Sequence, residues 1–342
     1  MAERAGVHPG TASRALDPSL PDRVTAETKR KVEEAARELG YAPDPAARSL
    51  RTRRSGFVGL VVPDLTNPVI PPIVRGIEQV LWSAGLACLL ADTDNDVERE
   101  GAVVTELQAR RCEGLIVSTA TRQSATVAGL GGGSIPTVLV TRDIDAGTLP
   151  FVGADDASGV DRAVGYLTEL GHERIAHVTG PVNLSTTVVR ERAFRDAMDR
   201  RVGGEPAPVL HGEAFTMPAG QSTAGDLLRR RDDITAIVAG NDLIALGCYA
   251  ALAEAGLRCP DDISIVGHND MPLASSLQPS LTTVAIPQYE IGREAARTLL
   301  DRLSGEADGA PRVLLETELI VRGSTGPSRA AARSIRELRA RV

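Results

Sequence analysis

The sequence predicts a small α-helical head followed by an α/β body built as two doubly wound parallel-sheet lobes. Three observations carry this reading. From Phe57 onward, short apolar runs alternate with amphipathic or polar stretches long enough for helical crossovers. The chain has 342 residues, 42% of them apolar, and the alternation runs on too far for one comfortable sheet, which favours two lobes about a cleft. Residues 1–56, by contrast, carry helix punctuation and no strand-like runs.

In the head, Ala2–Ala5 reads as the tail of a helix ended by Gly6, whose tolerance of positive φ suits a tight turn. His8 takes the N-cap place and Pro9 opens a second helix through Leu16, because proline lacks only an N–H that would be unpaired there anyway. Helix, tight turn and second helix form a helix-turn-helix. That geometry puts His8, Gly10, Thr11, Ser13 and Arg14 near phosphates and base edges of a DNA major groove. Thr25 caps a third helix whose stripe of Val24, Thr28, Val32, Ala35, Ala36 and Leu39 closes a miniature core. Asp44 and Pro45 start one more short helix through Leu50, which needs a partner to order fully. Arg48, Arg51, Arg53 and Arg54 surround Leu50, making DNA the natural partner and Leu50 a candidate wedge between base steps.

Charge supports a division of labour. Residues 1–56 hold 11 Lys+Arg against 8 Asp+Glu, whereas the rest holds 27 against 37. A basic head on an acidic body fits contact with nucleic acid at one end. Cys88, Cys112, Cys248 and Cys259 form no CxxC pair, and His172, His177, His211 and His268 are scattered, so neither a zinc site nor a disulfide framework is expected. No cofactor is expected either, since the Gly129–Gly133 run lacks the strand-turn-helix context of a dinucleotide loop. No apolar run is long enough to span a membrane and the N-terminus lacks a secretory core, so the expected location is cytoplasmic.

The runs Ala2-Glu3-Arg4-Ala5-Gly6-Val7, Thr11-Ala12-Ser13-Arg14-Ala15-Leu16, Val24-Thr25-Ala26-Glu27-Thr28 and Leu39-Gly40-Tyr41-Ala42-Pro43, with Ala46-Ala47-Arg48-Ser49-Leu50, resemble the head of LacI/GalR-family repressors. The resemblance implies major-groove reading by Thr11, Ser13 and Arg14, and a minor-groove hinge helix in which Ala47 and Leu50 act, Leu50 opening the central base step. It also implies about five or six further residues before Met1. The stretch His8-Pro9-Gly10 departs from the family pattern, so base preference is expected to differ.

In the body, strands are expected at Phe57–Val62, Leu86–Ala91, Gly114–Ser118, Thr137–Val140, Ile175–Thr179, Ala236–Ala239 and Ile263–Val266. The segments Pro63-Asp64-Leu65-Thr66-Asn67-Pro68, Gly171-His172-Glu173-Arg174, Asn241-Asp242 and Asp261-Asp262-Ile263-Ser264-Ile265-Val266-Gly267 resemble the type I periplasmic-binding-protein fold. The resemblance implies a head at 1–43, a hinge at 44–55, a two-lobed ligand-binding and dimerisation core at 56–326 and a basic tail at 327–342. One lobe takes 57–154 and 286–312, the other 155–285 and 313–326.

Ligands of open α/β sheets lie beyond the carboxyl ends of strands. That rule selects Asn67, Thr141, Arg142, Asn241, Asp242, Asn269 and Asp270, with Arg190 early in a following helix and Phe215 as an aromatic able to cover an apolar sugar face. The resemblance marks Arg190, Asn241 and Asn269 as the main ligand contacts; Thr141 and Asn269 stand where aspartate is common in the family, so the sugar cannot be inferred from a relative. The expected protein is a sugar-responsive, homodimeric repressor of a palindromic double-stranded DNA operator, and not an enzyme, since no convergent acid and base stand out. The alternative is a cytoplasmic solute-binding protein with a non-functional head.

Overall fold

The computed structural model describes residues 1–16, 23–41, 55–133, 135–306 and 309–328. The chain divides into two compact units, Met1–Gly56 and Phe57–Val342. The expected hinge helix, and with it Ala47, Arg48 and Leu50, lies outside the described residues, as does the tail beyond Ser328.

In the first unit, a single turn with Ala5 N bonded to Met1 O at 3.0 Å is closed by Gly6 at φ 65°. Helix α1 (Pro9–Ala15) starts on His8, whose Nδ1 accepts from Gly10 N at 3.1 Å. An imidazole thus does what a serine or aspartate cap usually does. Helix α2 (Ala26–Glu38) is capped by the Thr25 hydroxyl, which accepts from Thr28 N. Ala12 and Ala15 pack on Val32, with Val7, Leu16 and Val24 around them. Leu39, expected in the same stripe, is the exposed C-cap of α2, because the helix ends before its side chain can turn inward.

The described residues of the second unit form two six-stranded sheets. The first half runs β1 (Phe57–Val62), α3 (Ile70–Ser83), β2 (Ala87–Asp92), α4 (Val97–Ala109), β3 (Gly114–Val117), α5 (Ala125–Leu130), β4 (Thr137–Val140) and β5 (Phe151–Ala154). The chain then crosses to α6 (Asp156–Glu169), β6 (Ile175–Thr179), α7 (Ser185–Arg201), β7 (Val209–His211), α8 (Met217–Arg230), β8 (Ala236–Ala239), α9 (Asp242–Glu254), β9 (Ser264–Asn269), a 3-10 turn at Ala274–Ser276 and β10 (Thr282–Ala285). It returns through α10 (Gln288–Ser304) and β11 (Arg312–Leu315), and the last element among the described residues is β12 (Glu318–Ile320). Among the described residues no helix is long and apolar enough to cross a membrane.

The sheet orders are β11-β5-β4-β3-β1-β2 and β12-β10-β9-β8-β6-β7, parallel except for β12 against β10. This is the doubly wound pair of sheets that the alternation predicts. Central strands are buried on both faces, which is why β3, β4 and β8 read as nearly continuous apolar runs, while β6 also buries His177 and Thr179. Strand β11 corrects one expected boundary. It pairs with β5 in register Arg312↔Phe151, so the last crossing between sheets follows Leu315 rather than Arg312. The strand is a short edge strand whose residues alternate between exposed and half-buried, so its apolar Val313-Leu314-Leu315 stretch is too brief to mark it.

Helices α3 and α10 pack unusually close in the first half. A Cβ on Gly76 would overlap the carbonyl of Tyr289, and one on Gly292 would overlap the carbonyl of Ile73. The two glycines face each other's helix backbone, and no side chain can stand between them.

Candidate functional site

The polar face of the head is assembled by α1. Burial of Ala12 and Ala15 turns His8, Ser13 and Arg14 outward, with Thr11 and Gly10 half-buried beside them. Arg14 Nε donates to Gly10 O at 3.0 Å, holding the guanidinium along its own helix. A shallow groove formed by Thr11 and Arg14 with Arg23, Val24, Thr25 and Thr28 adds a second arginine. Sequence reasoning missed Arg23, although a basic residue just ahead of an N-cap is a recognisable phosphate-binding arrangement.

In the second unit, the order of each sheet reverses beside β1 and beside β6, so ligand crevices are expected outside β1 and β3 and outside β6 and β8. A cavity of about 370 Å³ lies there, lined from one half by Asn67, Asp94–Asp96, Thr119 and Arg142 and from the other by Asn183, Leu184, Glu213 and Phe215. The halves also touch directly. Arg122 N donates to Asn183 O at 2.9 Å, Asp143 N to Ser185 Oγ at 2.8 Å and Gln288 Nε2 to Asn269 O at 2.7 Å. Burial pulls Arg142 down to about 10, with Glu100 and Asp64 opposing, and its Nη1 donates to Asn95 Oδ1 at 2.9 Å.

Of the residues singled out from sequence, Asn67, Arg142 and Phe215 line this cavity. The Phe215 ring lies against Gly180 and Gly240, where an added Cβ would come within 2.7 Å and 3.2 Å of it. Asn241 caps α9 through Oδ1 to Ile244 N at 2.8 Å, and its Nδ2 reaches Phe215 O at 3.4 Å. Thr141 sits at φ 62°, a strained setting for a β-branched residue, with its hydroxyl 2.9 Å from that of Ser118. Asn269, at φ 109°, keeps a buried Oδ1 without a hydrogen-bond partner. Arg190 is buried against Asp156 and Gly240 O.

Two candidates are engaged by partners inside the lobe. Asp242 accepts from Met271 N at 2.7 Å and from the Thr283 hydroxyl at 2.6 Å, so both oxygens are used to join α9 to β10 and the loop after β9. Asp270 pairs with Arg322 at 2.7 Å. Both carboxylates thus have partners within the lobe itself, since strand-end polarity can serve the lobe's own interior as well as a ligand. The cavity residues that were missed follow β2, β3, β6 and β7; the same carboxyl-end rule applied to β2, β3 and β6 would have found theirs, whereas β7 was not expected as a strand.

Burial pushes the Asp242 carboxyl up to about 7. The folded chain therefore binds a proton more tightly than the unfolded chain, whose carboxyl titrates near ~3.9. Stability contributed here falls as pH rises from about 4 to 7 and is level above that. The expected result for Asp242→Asn is a smaller stability gap from the wild type at pH 7.5 than at pH 5, measured by urea unfolding. A gap that stays constant would mean Asp242 is ionised throughout.

Comparison with known proteins agrees with this architecture. Residues 1–44 match the family described as Bacterial regulatory proteins, lacI family, and residues 164–325 match the Periplasmic binding protein-like domain. The chain is 33% identical to the HTH-type transcriptional repressor CytR of Escherichia coli (strain K12), over 95% of both chains. It is likewise 33% identical to the HTH-type transcriptional regulator CelR of Thermobifida fusca, over 95% of this chain and 96% of the relative. Its fold is similar to that of the lac repressor dimer bound to operator and the anti-inducer ONPF, with TM-score 0.84, 28% identity and coverage of 95% and 97%. A CelR-cellobiose complex is similar at TM-score 0.72 and 32% identity, covering 94% of this chain and 98% of that one. Head, two-lobed body and full-length similarity agree: the chain belongs to the lacI family of bacterial regulatory proteins.

Proposed function

We propose that this protein is a cytoplasmic, ligand-responsive transcriptional repressor, in which a small polyhydroxylated molecule of the sugar class, bound between the two lobes, changes affinity for an operator. The observation that carries this reading is the presence in one chain of an exposed polar face on α1 and a cavity at the switch points of two sheets. Likeness to a lac repressor dimer on its operator supports pairing of two copies, whose heads read inverted half-sites. His8, Gly10, Thr11, Ser13 and Arg14 contact DNA from α1 and its turn, while Ala47, Arg48 and Leu50 act from the hinge. Asn67, Thr141, Arg190, Phe215, Asn241 and Asn269 contact the ligand: amides and guanidinium bond adjacent hydroxyls, and the phenyl ring covers an apolar face. Closure of the lobes on that ligand couples the two affinities reciprocally.

Selection of bound fragments from a random-sequence DNA pool tests this. A palindromic sequence is expected to enrich, and adding D-ribose, cellobiose or another sugar that raises the melting temperature is expected to change retention. If no sequence enriches, the chain is a ligand binder with an inactive head. On the enriched site, Arg14→Ala is expected to weaken binding by about tenfold or more, since a good base-edge contact contributes ~1–3 kcal/mol. Unchanged affinity at fixed salt would remove Arg14 from the interface.

A further inference from the structure

Three ionisable side chains from three elements converge on one buried oxygen. Asp156 opens α6 at the crossing from β5, Arg190 lies in α7, and His268 lies near the end of β9. Asp156 Oδ1 accepts from Arg190 Nη2 at 3.0 Å and from His268 Nε2 at 2.8 Å. Exposure of Arg190, Asp156 and His268 is 6%, 8% and 2%. Arg190 Nη1 donates to Gly240 O at 2.6 Å, and Gly240 is the residue against which the cavity-lining Phe215 packs. Two of the three guanidinium nitrogens are thus fastened, while Nε is buried with no hydrogen-bond partner.

A long cationic side chain loses rotamer freedom when it is fixed, and a buried donor left unmet carries a desolvation cost. A guanidinium held on two sides with its third nitrogen unmet is arranged for a group that arrives later. Burial pushes the Asp156 carboxyl up, but Arg190 and His268 outweigh it and hold the group at about 2. Burial first, and Arg190 next, push His268 down, and because the carboxylate oxygen can only accept, Nε2 is the ring nitrogen that donates to it.

We propose that His268 and Asp156 are positioning residues for effector recognition, holding Arg190 so that its unpartnered nitrogen meets a ligand hydroxyl in the cleft. This rests on the reading that the cleft takes a polyhydroxylated ligand. His268 supplies one donor to Asp156; Asp156 supplies the charge and the angle; of these three side chains only Arg190 meets the ligand.

The test uses the full chain and the sugar, from a panel including D-ribose and cellobiose, that gives the largest rise in melting temperature. His268→Phe keeps a ring but removes the donor, whereas His268→Gln keeps an N–H able to reach the same oxygen. Calorimetric titration is expected to show His268→Phe weakened by about tenfold, the loss of a hydrogen bond to a charged group, with His268→Gln restoring most of it. In side-chain ¹H–¹⁵N spectra, the Arg190 Nε–H signal, identified by its absence in Arg190→Lys, is expected to exchange slowly in wild type and His268→Gln and quickly in His268→Phe. Equal losses in both His268 variants would assign His268 to packing and overturn the proposal. So would wild-type binding in His268→Phe while Arg190→Lys loses affinity. Wild-type affinity in Arg190→Lys, or no sugar bound by the wild type, would instead overturn the underlying reading of the cleft and the proposal with it.

Discussion

Gly292→Val is expected to lower the stability of the second unit by about 3 kcal/mol or more, a large share of the ~5–15 kcal/mol that holds a typical domain folded. The reason is the reciprocal approach of α3 and α10. The new Cβ meets the Ile73 carbonyl, and that carbonyl is fixed inside its helix and cannot rotate away as a side chain would. Separating the helices to make room would uncover Ile73, Ile77, Ile291 and Ala295, all within one buried cluster. Gly292→Ala is expected to go the same way, because the overlap begins at Cβ. Urea unfolding followed by circular dichroism measures the effect; an unchanged midpoint would mean that the helices slide apart without loss.

The fold was legible where burial is two-sided. Strands β1, β4, β6 and β8 coincide with apolar runs because both faces of a central parallel strand are covered, and sequence then carries no alternation to misread. Legibility failed at β5, β7, β10, β11 and β12. Strand β10 contains Thr282 and Thr283, fully buried and hydrogen-bonded to Ser324, Thr325 and Asp242, so its interior position rests on polar contacts that hydropathy cannot show. Strands β7 and β11 lie toward the sheet edges, with partly exposed residues that resemble loop.

The site was legible in outline for a related reason. Doubly wound sheets place their crevice at a fixed topological point, so strand ends predict neighbours without any knowledge of side-chain direction. Direction is what the rule leaves open. Asn241 and Asp242 are adjacent at the end of β8, yet Asn241 turns toward Phe215 while Asp242 turns into the lobe against Met271 and Thr283. The Asp156–His268–Arg190 cluster was out of reach altogether, because its members are far apart in sequence and only the packing of α6, α7 and β9 brings them together. Periodicity reports burial of apolar faces and says nothing of which buried charges meet.

That cluster carries the other large expected effect. Asp156→Ala leaves Arg190 buried without its counter-charge, and breaking one side of such a pair is expected to destabilise by about 3–5 kcal/mol at pH 7. The sign with pH follows from the carboxyl held at about 2 against ~3.9 in the unfolded chain. A depressed carboxyl contributes stability that is complete above about 4 and is lost as pH falls toward 2. The wild type should therefore weaken over that acid window more steeply than Asp156→Ala. Adding Arg190→Met to Asp156→Leu removes the stranded charge and fills the volume with apolar groups, so the double variant should recover much of the stability, although His268 then lacks its acceptor. Recovery of folding without recovery of sugar binding would place the ion pair in recognition rather than in stability. A double variant no more stable than Asp156→Ala would mean that the loss comes from packing around α6, and that the charge on Arg190 was never the cause.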